Sequence, residues 1–431
     1  MRIISIFGKT FLLLSLLALF SCSEDQSKKK AYKGTDVGIL EEVKGFHGWD
    51  SVTLRNAFTR LDVVPDLAGK ILGYEAAGYQ VMWHNPSLEG EIEPFRRNDL
   101  GQEFINTGGA KVWPAPQEKW GGPPDRILDG LPYTHTFDGT VITVTSPEDT
   151  GKNRTGLQFK HTYSLKPSSS IVELNLSMTN VIDHTVEWSL WHLATIPGIS
   201  NSTVYVPVKD GNWDLMVGEE DTAQWTGVEN GIFRARFNKT TGKVGMKVSE
   251  GWAAWHDEEN DVVFALMFPV KKGAQYPHGG HNFEIWSTGA VNKSDGSFSP
   301  EMANMELEVL GPMTKLSPGE SASLNLQWAV CHCSDFKKVI PGGILVEEIK
   351  RDENNIVTGK FGVFYSGILE EYFMDKDGNK KGRNPIGDVS PLTEVIFRRD
   401  PIIPIDAVTL RYQIRGYDHN LLCVLGEVSL E

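Results

Sequence analysis

The chain has 431 residues, with 56 acidic against 42 basic side chains and a formal net charge of −14 at pH 7. An acidic protein with no basic block lacks the electrostatic footprint that binds nucleic acid, so nucleic acid is excluded as an expected partner. Of its four cysteines one falls at residue 22 and two others are only two apart, which excludes a disulfide scaffold.

At the start, Arg2 and Lys9 precede an apolar run over residues 11–20. That run is too short for a comfortable membrane span, and residues 1–21 read as a removed signal peptide. Leu19-Phe20-Ser21-Cys22 resembles a bacterial lipobox, which implies cleavage before Cys22 and a lipid attached to it. The following Ser23-Glu24-Asp25 resembles the acidic tether of surface-exported lipoproteins. Residues 22–33, polar and Lys-rich, read as a flexible tether. The expectation is a cell-envelope lipoprotein of the outer membrane, facing the periplasm or the surface.

The rest of the chain reads as strands and loops. Within residues 171–178, Val172, Leu174, Leu176 and Met178 alternate with polar side chains, a period of two. Residues 141–145, 186–193, 262–268, 305–310 and 323–330 read likewise, with Gly, Pro, Asn and Asp between them. No long helical period appears beyond the signal peptide. Many strands without an internal repeat predict an all-β fold, a large antiparallel sandwich over residues 34–344. The composition shifts near Ile340-Pro-Gly-Gly, and residues 345–431 read as a small C-terminal β-rich module.

Two segments invite a metal reading and do not sustain it. In Cys331-His332-Cys333 a strand puts both thiols on one face and the imidazole on the other, so buried thiols are expected. Asp375-Lys-Asp-Gly-Asn resembles the first half of an EF-hand loop, but the twelfth position is Ile386. A hairpin turn is expected there. No metal and no cofactor is expected.

Chemistry is sought in four places. Residues 106–125, NTGGAKVWPAPQEKWGGPPD, are rich in Pro and Gly and read as a stiff loop rather than a core strand. Trp113 and Trp120 offer flat apolar faces, while Lys111, Gln117, Lys119 and Arg126 offer donors. That combination complements a sugar, with its C–H faces and rim of hydroxyls. Further on, Trp188, Leu190 and His192 share one strand face and Trp191 points the other way. His278, His281 and Glu284 lie close together at a spacing that fits no standard metal motif. Finally, Glu306 and Glu308 share a face, and on a concave site their repulsion would raise a pKa.

The order of several motifs resembles the galactose mutarotase-like (aldose 1-epimerase-like) superfamily. They are Gly69-Lys-Ile-Leu-Gly, Met82-Trp-His-Asn-Pro, the segment from Asn106 to Gln117, Trp191-His192, Glu306-Leu-Glu-Val-Leu-Gly-Pro and Leu316-Ser-Pro-Gly-Glu. Within that superfamily the chain is similar to an uncharacterised bacterial lipoprotein family marked by a Gly-Gly-x-Lys-x-Trp-Pro-x-Pro-Gln loop. The resemblance covers residues 40–335. It implies a β-supersandwich with a sugar cleft on its concave face. It also implies acid–base anomer interconversion, in which Glu308, with Glu306 next, matches the base and His192 matches the acid. Lys111, Trp113, Gln117, Trp120, Arg126, Trp191, His281 and Glu284 are then the expected substrate-binding residues, with a mono- or oligosaccharide as partner. Two departures stand out: Leu190-Trp-His-Leu-Ala replaces the usual Asn-His-x-Tyr, and Lys111 or Trp113 replaces a second, early His. Because fold does not fix function, three alternatives stay open. One is a non-catalytic glycan-binding lipoprotein of a polysaccharide-utilisation system. Another is a lyase or hydrolase using Tyr276, His278 and His281. The last is a structural role with the C-terminal module docking a partner.

Overall fold

Alternation of apolar and polar side chains makes most of this chain strand. In the computed structural model, which describes residues 39–93, 104–151, 154–292 and 294–431, the strands pair antiparallel. The signal peptide, Cys22 and the tether lie outside the described residues.

Strand Val172–Asn180 buries Val172, Leu174, Leu176 and Met178, the face its period predicts. It pairs with Leu157–Leu165 on one side and Ser321–His332 on the other. With Val141–Thr145, Val262–Met267 and Trp252–Asp257 these strands form a back layer.

The front layer is built around seven strands: β1 (Lys70–Ala76), β2 (Ala110–Ala115), β3 (Val186–Pro197), β4 (Ser202–Val217), β5 (Gly242–Val248), β6 (Phe283–Thr288) and β7 (Asn304–Leu310). Their spatial order is β1-β2-β3-β7-β6-β5-β4. Sixteen residues long, β4 serves both layers. Val204 pairs with Trp255 at the back and Leu215 with Val244 at the front, so β4 joins the layers along one side. Between the layers lies one core, to which Val112, Ala194, Val244, Ile285 and Leu307 contribute from the front and Leu174, Phe264, Leu326 and Trp328 from the back. Burial of side chains this size stabilises by roughly 1.5–3 kcal/mol each, before conformational entropy is subtracted.

The Pro- and Gly-rich segment is not loop throughout, because its first half is β2. Pro114 is tolerated there because β2 pairs along its length with β3 only. Towards β1 it makes the single Ile71–Ala110 pair, so no partner strand needs the missing N–H. Gly108 and Gly109, both at positive φ, let the chain pass close to β1. A Cβ would come 2.5 Å from Trp83 O at Gly108 and 2.4 Å from Ile71 O at Gly109.

The C-terminal module is β-rich, with two four-stranded sheets, but its pairing begins before residue 345. Strand Lys338–Ile340 already pairs with Gly343–Arg351, because Pro341-Gly342 is the turn of that hairpin rather than a linker. The core of the module is also continuous with the outward face of the back layer: Val263, Ala265, Ala329, Cys331 and Cys333 cluster with Phe361, Val363, Leu369 and Phe373. Cys331 and Cys333 are buried free thiols on one face, packed at Gly362. In the expected hairpin turn, Asp375 Oδ1 accepts from the N–H groups of Asp377 and Asn379.

Candidate functional site

The outward face of the front layer carries the polar side chains that strand alternation leaves over. In β7, Met305, Leu307 and Val309 point into the core, so Glu306 and Glu308 point outward. In β3, Leu190, Ala194 and Ile196 point inward, leaving Trp191, Leu193 and Thr195 outward. Register then assembles the site. Leu193 stands opposite both Lys111 and Glu308, Thr195 opposite Glu306, Glu284 opposite Glu308, and Lys243 opposite Trp286.

Lys243 is the hub. Its Nζ lies 2.6 Å from Glu284 Oε2, 2.9 Å from Glu308 Oε2 and 4.5 Å from the centre of the Trp191 ring. Trp191 Nε1 donates to the same Glu308 Oε2 at 2.8 Å. Glu308 Oε1 has no hydrogen-bond partner among the described residues.

Around Glu284 two imidazoles converge. His278 Nε2 accepts from the backbone N–H of Gln117 at 3.0 Å, which leaves the ring proton on Nδ1. That Nδ1–H donates to Glu284 Oε1 at 2.8 Å. His281 Nε2 lies 2.7 Å from Asp214 Oδ2, and its buried Nδ1, without a hydrogen-bond partner, lies 3.8 Å from Glu284 Oε1. This ring rests on β5 at Gly245, where a Cβ would come 2.2 Å from Nδ1.

The charges sort themselves by partner. Burial pushes the Glu308 carboxyl up, to about 8; Lys243 pulls against this, while Glu284 and Glu306 add to it. Burial acts the same way on Glu284, but the hydrogen bond from His278, the nearby His281 imidazole and the charge of Lys243 hold its carboxyl well below the usual range. Lys243 is lowered by burial, yet Glu308 and Glu284 outweigh that and raise it. For His281, too, burial is overcome by Glu284 and Asp214, and the imidazole is raised. The cluster therefore favours an ionised Glu284 and a charged Lys243, with Glu308 the more weakly acidic of the two carboxyls.

A second ion pair lies beside the first. Lys111 Nζ donates to Glu306 Oε1 at 2.7 Å and to Asn106 Oδ1 at 2.8 Å, and Asn106 Nδ2 donates to Glu306 Oε1 at 3.0 Å. Burial works against ionisation of Glu306, but Lys111 and Asn106 prevail and lower its carboxyl. Above these pairs stands an aromatic wall. Trp113 meets Trp120 and Trp191 edge to face at 5.8 and 5.4 Å, and His278 meets Trp191 at 5.0 Å.

Of the residues the sequence singled out, Lys111, Trp113, Trp120, Trp191, His281, Glu284, Glu306 and Glu308 share this face. Gln117 joins it through its backbone N–H, while its side chain bonds Gly121 O. Arg126 starts a short helix and pairs with Glu93 at the surface instead. Tyr276 is bonded within its own loop, its hydroxyl accepting from Lys271 N–H at 2.9 Å.

His192 requires a correction. A strand that presents Trp191 outward must turn His192 inward. The ring lies in the core, 5.6 Å from Trp328, with both nitrogens lacking partners. Burial holds its imidazole down at about 3, and it faces away from Glu308. The sequence reading did not single out Lys243, Asp214 or Gly245. The available signal was the run Gly242-Lys-Val-Gly-Met-Lys-Val, in which Lys243 and Gly245 share a parity opposite the apolar residues.

A family model described as a domain of unknown function, DUF4380, matches residues 133–331. No curated protein matches the chain. Among solved structures, similar ones include a TPR-domain containing protein from Parabacteroides distasonis, at 15% identity and a TM-score of 0.48; the match covers 71% of this chain and 51% of that one. A galactose mutarotase related enzyme from Lactobacillus acidophilus is similar at 11% identity and a TM-score of 0.43, over 67% of this chain and 100% of that one. A galactose mutarotase-like protein from Clostridium acetobutylicum is similar at 13% identity and a TM-score of 0.43, over 70% and 100%.

Proposed function

We propose that the front-face site binds a sugar and interconverts its anomers by acid–base catalysis. The observation that carries this reading is Glu308. One of its oxygens is held by Trp191 and Lys243, and the other has no partner among the described residues. Its carboxyl is lifted to about 8, near the range where a group can both take and return a proton. In the proposed reaction Glu308 Oε1 takes the anomeric hydroxyl proton, and His281 Nδ1–H gives a proton to the ring oxygen. The bond from that oxygen to the anomeric carbon breaks, and the open-chain aldehyde recloses on its other face with the protons returned. The half-buried indoles of Trp113 and Trp120 supply flat surfaces for the C–H face of the ring, while buried Trp191 holds Glu308. Glu306 and Lys111 position polar groups of the sugar rather than reacting. Cys22, as the lipidated residue of an outer-membrane lipoprotein, would hold this site at the envelope.

A second reading, a glycan binder without catalysis, is favoured by the ion pairing already complete at Glu306 and Glu284. Anomer exchange measured by NMR over a panel of free sugars separates the two. Acceleration above buffer that is lost in Glu308→Gln and His281→Gln but kept in His192→Leu is the expected outcome. Line broadening from bound sugar with no acceleration would replace the enzyme by the binder. Incorporation of labelled fatty acid, lost in Cys22→Ser, tests the anchor.

A further inference from the structure

A cluster apart from the Lys243 hub brings two imidazoles and a carboxylate together from separate parts of the chain. His47 occupies the turn between strands Ile39–Phe46 and Trp49–Arg55. His84 forms an isolated bridge with Gly108, and Glu89 follows the short turn Pro86–Leu88. His47 Nδ1 and His84 Nε2 lie 2.8 and 3.1 Å from the same oxygen, Glu89 Oε1, and the three ligand atoms all lie within 4.8 Å of one another. We propose that His47 Nδ1, His84 Nε2 and Glu89 Oε1 form a binding site for one divalent first-row transition-metal ion, of which Zn2+ is the type, with water completing its coordination.

The spacing fits. Donor atoms around a tetrahedral ion with bonds of about 2.1 Å stand about 3.4 Å apart, so the 2.8 and 3.1 Å imidazole–carboxylate contacts widen and all three atoms, now within 4.8 Å, come to one spacing by small movements of the half-exposed His47 and Glu89. Two imidazoles and a carboxylate are the donor set such ions favour, and three protein ligands leave a position open for water. His47 and Glu89 are each about half exposed, which gives the ion a way in.

The cluster is also braced independently of any ion. Gly48 and Gly90, the residues directly after His47 and Glu89, touch: a Cβ on Gly48 would lie 3.1 Å from Gly90 Cα. Trp49 Nε1 donates to Glu91 O at 2.8 Å, and the buried Trp49 ring meets His84 edge to face at 5.6 Å. Asn85 Oδ1 accepts from Ser87 N–H at the head of the turn. Preformed ligands of this kind lower the ordering cost of binding. The His278, His281 and Glu284 group differs, because the Lys243 ammonium already occupies the place a cation would take.

An ion here would also brace the sugar site. Asn85 Nδ2 donates to Asn106 O at 3.0 Å, and Asn106 in turn bonds Glu306 and Lys111.

Isothermal titration of Zn2+ into the purified, tag-free chain tests the proposal, with the thermal midpoint followed in parallel. One ion per chain and a raised midpoint are expected, and His84→Gln and Glu89→Gln should each weaken binding about tenfold or more. Glu89, half-exposed, serves as the deciding variant if replacing His84 impairs folding. No binding of Zn2+ would overturn the proposal. Unchanged affinity and stoichiometry in folded Glu89→Gln would do so equally, because the ion would then sit elsewhere.

Discussion

Three buried groups, Glu308 and His192 on the front layer and His161 on the back, give opposite pH signatures. Glu308 has its folded pKa raised from 4.5 to about 8. Between those values the folded chain keeps a proton that the unfolded chain has lost, so its contribution to stability falls as pH rises. Glu308→Gln should flatten that slope in denaturant unfolding measured on either side of the window. The same variant should lower anomer exchange by about 10²–10⁴-fold, and the wild-type rate should climb as pH rises through about 8, where Glu308 becomes a free base. His161 and His192 behave in reverse: burial holds both at about 3, against an ordinary 6.5. Below 6.5 the unfolded chain protonates first, and stability is lost as pH falls towards 3. His192→Leu should therefore soften acid unfolding, by on the order of a few kcal/mol at the acid end, and leave exchange intact. Loss of exchange in that variant, with the fold preserved, would restore His192 to the mechanism.

At the scale of elements, β5 works through an absence. Gly245 leaves the space in which the His281 ring lies; Asp214 on β4 holds that ring by Nε2, and Glu284 on β6 lies 3.8 Å from its other nitrogen. A methyl group at residue 245 cannot share this space, since it would stand 2.2 Å from Nδ1. Gly245→Ala should thus lower exchange by about tenfold or more while β5 stays paired. In a His281→Gln background the same change should add little, and full additivity would place Gly245 outside the mechanism. This is also where legibility from sequence ends. The faces of β3 and β7 follow from parity alone: Trp191 outward, Glu306 and Glu308 together. By the same parity His192 opposes Trp191, yet motif order paired it with Glu308. Which strands become neighbours is a matter of long-range register, and parity does not encode it. Lys243 is separated from Glu308 by 65 residues along the chain. Nothing in its own strand announces two glutamates as partners. The Pro and Gly of residues 106–125 mark irregular backbone but do not reveal that β2 lacks a full-length partner on one side. Without that fact, Pro114 looks incompatible with a strand.

For the whole molecule, the decisive feature is that the C-terminal sheets share a core with the sandwich. Val263, Ala265, Ala329 and Cys331 point away from the inner core, and on a free-standing back layer they would meet water. Phe361, Val363, Leu369 and Phe373 cover them. Backbone bonds add to the join, with Ser170 N–H donating to Phe364 O at 2.9 Å and Ser366 N–H to Ser168 O at 2.7 Å. The described residues from Ile39 to Glu431 form one compact unit accordingly. A contiguous apolar face of this kind left bare favours association over solubility. Removing everything after Cys333 should therefore yield an aggregating or much less stable chain, not an independent sugar-binding domain. Calorimetry of the intact protein should show one cooperative transition, and Phe361→Asp should lower its midpoint rather than split it. The consequence reaches the site through β4. Tyr205 near its start stacks at 4.4 Å on Phe336, which precedes the module's first strand and packs against the module core, and Asp214 further along holds His281. Loosening the first contact should weaken the second, so a module variant that stays folded should lose exchange activity without any change at Glu308. Two well-separated transitions, or a soluble truncated chain with full sugar affinity, would instead make the C-terminal sheets an appendage.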